Sequence, residues 1–168
     1  MSTRSNVLIK LGSTKIYLYR HHDGYPGGNG GDLAEKLIKN GNDGAAFIED
    51  LISEKYDDGR AVWELTTDLH GDIEWLYVFA FNKFEDLDPK VWVVERSNER
   101  EDGYWKMISE EDAKKEIGLK GLVDMANKDR LEMNVRIADM NMKNFTGGEV
   151  RADNFWDLIS LKEEKEAA

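Results

Sequence analysis

Residues 6–20 read N-V-L-I-K-L-G-S-T-K-I-Y-L-Y-R, two alternating apolar runs around Gly12-Ser13. Alternation of period two puts successive side chains on opposite faces of a strand, and Gly-Ser suits a two-residue type II′ turn with glycine first. The resulting hairpin pairs Leu11 with Thr14, Ile9 with Ile16 and Val7 with Leu18 on a core face. The other face, with Leu8, Lys10, Lys15, Tyr17 and Tyr19, is expected to be half exposed. Further on, Ala61–Thr67 and Ile73–Phe81 read as strands joined by a short hairpin loop, D68-L-H-G-D72. The second of them is apolar on both faces and belongs inside the sheet. Lys90–Glu95 and Tyr104–Ile108 continue the meander across the solvated run 95–102.

Helical spacing takes over between these strands. Tyr25-Pro26-Gly27-Gly28 suits a type II turn, and Asp32 with Glu35 suggests a capping box. A helix is expected from Leu33 to Asn40, stopped by Gly41, and a second over Ala45–Lys55 with Phe47, Ile48, Leu51 and Ile52 on one stripe. Ser109 reads as the cap of an acidic-first helix, 119–128 as a short helix, and Asn154–Glu166 as a terminal helix. Leu131, Met133, Val135 and Ile137 alternate as in a strand. The expected fold is α+β, one domain over 1–168, with a mostly antiparallel sheet (hairpin plus meander) and helices packed against it.

Composition narrows the chemistry. The 168 residues include no cysteine, which removes disulfides, thiolate metal sites and cysteine nucleophiles. Net charge is −11, and no clustered run of Lys and Arg is present, so direct binding of DNA or RNA is not expected. The first residues carry no apolar leader, and charges interrupt every long apolar run. A cytoplasmic protein without signal peptide or membrane span is therefore expected.

Two stretches carry candidate chemistry. The first, Y19-R-H-H-D-G-Y-P-G-G-N-G-G31, follows a strand and precedes a helix. Strand, glycine loop and helix N-terminus can cradle a phosphate, because free N–H groups and the helix dipole face the anion. The run matches neither G-x-x-x-x-G-K-[ST] nor G-x-G-x-x-G, and Asp32 at the helix start repels an anion, so a plain linker competes with the ligand reading. As a site, Arg20 offers a fork of donors, Tyr25 a stacking face, and Gly28 and Gly30 backbone N–H groups, joined by His21, His22 and Asp23. On a continuing strand His21 and His22 point to opposite faces. The second stretch, Asp68, His70 and Asp72, could hold a divalent metal, although D-x-H-G-D is also ordinary turn chemistry. No H-E-x-x-H, G-x-S-x-G or Walker motif occurs, which disfavours an enzyme.

The run Arg20, His21, Asp23, Gly24, Tyr25, Pro26 resembles an Arg-His-x-Asp-Gly-Tyr-Pro motif of small bacteriophage and prophage proteins of uncharacterised activity. There it closes an N-terminal hairpin ahead of a helix. The resemblance covers about the first forty residues and the T-T-D-L-H-G-D loop. It implies a phage-type accessory protein acting in the host cytoplasm in counter-defence or host takeover, and carries no catalytic residue. The leading expectation is a non-enzymatic protein binding a small phosphorylated or nucleotide-like ligand through residues 20–31, with no obligatory cofactor. An acidic inhibitor of a basic, nucleic-acid-binding host protein is the second, and a metal-dependent hydrolase the third.

Overall fold

The structure is a computed structural model that describes residues 2–82, 88–96 and 114–141, with side chains described as far as Glu132. The chain forms β1 (Ser5–Leu11), β2 (Thr14–Arg20), a π-helical turn (Pro26–Gly30) leading into α1 (Gly31–Lys39), and α2 (Gly44–Ser53). β3 (Glu64–Thr66), β4 (Trp75–Phe81), β5 (Lys90–Glu95) and α3 (Gly118–Asn141) follow. Among the described residues five strands make one sheet in the order β3-β2-β1-β4-β5. The fold is α+β, as its alternating patterns require.

The hairpin has the register expected of it, with Val7 opposite Leu18 and Leu11 opposite Thr14. Gly12 has φ +63° while Ser13 does not enter the positive region, which is the distribution a type II′ turn needs. Val7, Ile9 and Leu18 are fully buried against Leu33, Leu37, Phe47 and Leu51 of the helices. The reverse face holds a smaller apolar cluster of Leu8, Tyr19, Ile73, Leu76, Val78 and Val94.

The sheet is mixed. β1 pairs with β4 in parallel, Ser5 against Trp75 through Leu11 against Phe81, while the other three pairings are antiparallel. β3 and β4 therefore do not form a hairpin. β3 lies at the edge beside β2, β4 lies on the far side of β1, and residues 67–74 cross the sheet between them. The first of the two expected strands shortens to Glu64–Thr66, because Val62 and Trp63 turn into the core ahead of it.

The glycine run is helix rather than linker. None of glycines 27–31 has positive φ, so no type II turn forms; Asp23, at φ +58°, makes the bend instead. Tyr25 is the extended residue before the first turn and Pro26 opens it, the position where proline's fixed φ and missing N–H cost least. Asp32 consequently sits inside the helix and cannot cap it. At its other end α1 closes as expected. Gly41 (φ +64°) donates its N–H to Ile38 O and Asn42 donates to Leu37 O, the paired bonds of a Schellman motif.

α2 begins at Gly44 with Asp43 Oδ1 accepting from the N–H groups of Ala45 and Ala46. Its stripe buries Phe47, Ile48 and Leu51, but Ile52 is exposed. α3 overturns the expected strand at 131–137: its backbone is helical from Gly118 to Asn141. The residues interleaved with Leu131, Met133 and Val135 include Glu132 and Arg136, good helix formers, and Leu122, Val123 and Ala126 seat the helix at i, i+1, i+4 spacing. Of the helix expected after Ser109, only Lys114–Glu116 is described, and it is not helical. The strand at 104–108 and the terminal helix at 154–166 lie outside the described residues. No helix among the described residues is long and apolar enough to cross a membrane.

Candidate functional site

The end of β2 sends its side chains in two directions and splits the expected ligand set. Arg20 faces the helices. Its Nη1 lies 3.1 Å from Asp32 Oδ2, and its guanidinium lies 5.3 Å from the centre of the Trp63 ring. Only 12% of the side chain is exposed, so Arg20 is a packing residue. Its Nε and the Trp63 Nε1 are buried without hydrogen-bond partners, leaving stacking and one ion pair to hold the contact.

The glycines of the run serve close packing. Gly27 N–H donates to Asp129 Oδ2 of α3 at 2.6 Å, and Arg130 Nε donates to Gly27 O at 2.6 Å. The anion at this helix start is thus the protein's own carboxylate. Gly28 N–H donates to Tyr25 O, and a Cβ on Gly28 would overlap the Asp23 carbonyl oxygen. A Cβ on Gly30 would come within 3.0 Å of the Tyr77 ring, whose hydroxyl donates to Gly24 O at 2.6 Å. Burial pushes the Tyr77 hydroxyl well above the usual tyrosine range. Asn29 is fully buried and ties the turn to the sheet, donating to Ser5 Oγ and His22 O.

On the opposite face, the chain's three histidines gather around Tyr19. His70 stacks on the Tyr19 ring at 3.9 Å and 12°. His21 Nδ1 lies 3.0 Å from the Tyr19 hydroxyl, and the His22 ring meets His21 edge-on at 4.8 Å. The strand ends at Arg20, so the two adjacent histidines are not forced to opposite faces. Arg4 Nε donates towards His21 Nδ1 and Asp72 Oδ2, each at 3.3 Å. Asp72 also accepts from the Tyr19 hydroxyl at 3.4 Å and lies 3.9 Å from His70 Nδ1. Burial, reinforced by the Asp72 charge, raises the Tyr19 hydroxyl above its ordinary pKa.

Asn6 places this cluster. It is fully buried in β1, donates Nδ2–H to Leu18 O at 2.9 Å and accepts the His70 N–H on Oδ1 at 2.8 Å. The crossing segment is thereby pinned so that His70 lies over Tyr19. Arg4 and Tyr19 were not among the candidates from sequence, yet the hairpin register holds the signal. Continuing the observed Ser5–Arg20 pairing by one position sets Arg4 opposite His21.

The network has two proton arrangements. With Nδ1 of His21 unprotonated, it accepts from Arg4 and Tyr19. With Nδ1 protonated, it donates to the Tyr19 oxygen, whose own proton then turns to Asp72. In either arrangement Arg4 offsets the Asp72 carboxylate.

The other expected residues fall elsewhere. Asp23 is exposed at the bend, and Tyr25 directs its hydroxyl towards Asp23 Oδ1 at 3.5 Å. Asp68 Oδ1 accepts the Leu69 N–H, while Asp72 is engaged by Arg4 and Tyr19. Among the described residues, no group of three or more His, Asp or Glu is placed to hold a metal ion. No family model matches the chain, and no curated protein or solved structure matches it either.

Proposed function

We propose that the protein binds a small phosphorylated or nucleotide-like ligand on the Tyr19-centred histidine patch. The observation that carries this reading is the convergence of all three histidines and Arg4 on one side of the sheet. Arg4 and the imidazoles supply donors for phosphate oxygens, and the exposed side of His70, already stacked on Tyr19, offers a flat surface for a base. Arg4 takes the place that Arg20 would have filled. The resemblance of residues 20–26 to a bacteriophage motif supports an accessory role in counter-defence or host takeover, achieved by binding and not by catalysis.

The test is a titration of the protein with inorganic phosphate, AMP and cyclic nucleotides, read at the imidazole resonances. Three histidines make that spectrum directly assignable with His21→Ala, His22→Ala and His70→Ala. Imidazole shifts that saturate, and that are lost in His70→Ala and Arg4→Ala, are the expected result. Imidazole resonances unmoved by every member of the panel would overturn the reading.

A further inference from the structure

A second feature lies at the same end of the sheet but on its helical side. Tyr25, just before the π-helical turn, and Trp75, at the start of β4, form two walls of an open cleft of about 420 Å³. Glu95 enters from β5 as the cross-strand partner of Trp75. Asp129 and Glu132 enter from α3 at i, i+3 spacing, which sets them on one helix face. Three carboxylates and one ammonium, that of Lys128, thus line the cleft, with Asp129 Oδ2 accepting the Gly27 N–H. Burial raises the Tyr25 hydroxyl first, the Asp23 and Asp129 carboxylates raise it further, and the Arg130 guanidinium lowers it.

We infer that this cleft receives an arginine side chain displayed by a partner protein. The carboxylates select a cation. Among the described residues they do not form a metal-holding group. Aromatic walls select a flat, weakly hydrated cation that stacks, and a guanidinium does so while offering paired donors to carboxylates. Lysine is the poorer fit because its compact ammonium is strongly hydrated. The four walls come from the 23–30 bend, β4, β5 and α3, so the cleft is built by the fold and does not depend on one loop. Lys128 is exposed on a flexible stem and yields its place when a better cation arrives.

The probe is the peptide acetyl-Gly-Arg-Gly-amide, with its citrulline counterpart as a neutral isostere, titrated into the whole protein and followed at the Trp75 indole N–H and the Tyr25 ring. The arginine peptide should shift both signals, the citrulline peptide should shift neither, and binding should weaken with salt. Glu132→Gln, at an exposed position that leaves the fold alone, should weaken binding about threefold, and Glu95→Gln by a similar factor. Equal shifts from both peptides, shifts scattered over other acidic surfaces, or an unchanged affinity in both glutamine variants would each overturn the assignment. The histidine resonances report the separate patch, so the two readings stand or fall independently.

Discussion

Replacing Asn6 by alanine takes away both bonds that fasten the crossing segment to the sheet. The Leu18 carbonyl loses a donor at 2.9 Å, and the His70 N–H loses an acceptor at 2.8 Å. Each bond contributes about 1 kcal/mol net, and the vacated amide volume in a fully buried site adds about 1 more, so the variant should lose roughly 2–3 kcal/mol. For a chain of 168 residues this corresponds to a fall in Tm of about 5–10 °C. Calorimetry measures that loss, and hydrogen exchange at His70 reports whether the segment has come free. Asn6→Asp separates the two bonds. It keeps the acceptor for His70 but turns an oxygen towards the Leu18 carbonyl and buries a charge, so it should be less stable than the alanine variant. A Tm within about 1 °C of the parent, or unchanged protection at His70, would refute the claim that Asn6 holds the segment.

Arg20→Ala should cost about 1–3 kcal/mol in denaturant unfolding, through the lost Trp63 stack and the lost ion pair to Asp32, which keeps only Arg130 at 3.8 Å, while leaving phosphate binding at the histidine patch unaffected. Gly28→Ala should destabilise by roughly 3 kcal/mol, because the new Cβ meets the carbonyl of Asp23, which already accepts the Asn29 N–H; unfolding midpoints test it. Glu35 has its carboxyl raised, by burial first and by Asp32 next, against the lowering effect of Arg130. A raised folded pKa means that the protonated acid suits the fold. Its contribution is complete below the unfolded pKa and disappears as pH rises through the folded one. Glu35→Gln should therefore raise Tm at pH 7 and leave it nearly unchanged at pH 4, which paired melting curves would check.

Local patterns carried the hairpin, its register, α1 with its glycine stop and α2, because each rests on residues within a few positions of one another. The sheet order did not follow from them. Ala61–Thr67 and Ile73–Phe81 look like neighbours in a hairpin, yet the first pairs with β2 and the second with β1, so they end on opposite sides of the hairpin. The glycine run misled for a similar reason. Its turn residues are also small residues, and their role is fixed by Tyr77, Asp129 and Arg130, which come from distant parts of the chain. Of the candidate ligand residues, His21, His22 and His70 converge, while Arg20 faces the helices and Tyr25 contacts Asp23. The missing arginine, Arg4, was legible in principle from the hairpin register.

The parallel pairing of β1 with β4 also bears on how the chain is made. β1 is the central strand, yet one of its two edges is closed only by residues 75–81. During synthesis the hairpin, α1 and α2 emerge first, and Val7-Leu8-Ile9 waits with a row of free backbone donors and acceptors along that edge. Such an edge is a template for pairing with another chain, and closing it requires a contact of long sequence separation. A fragment ending before β4 should therefore aggregate where the full chain does not, and the length of chain between β1 and β4 sets how long a ribosome-bound chain stays exposed to that hazard.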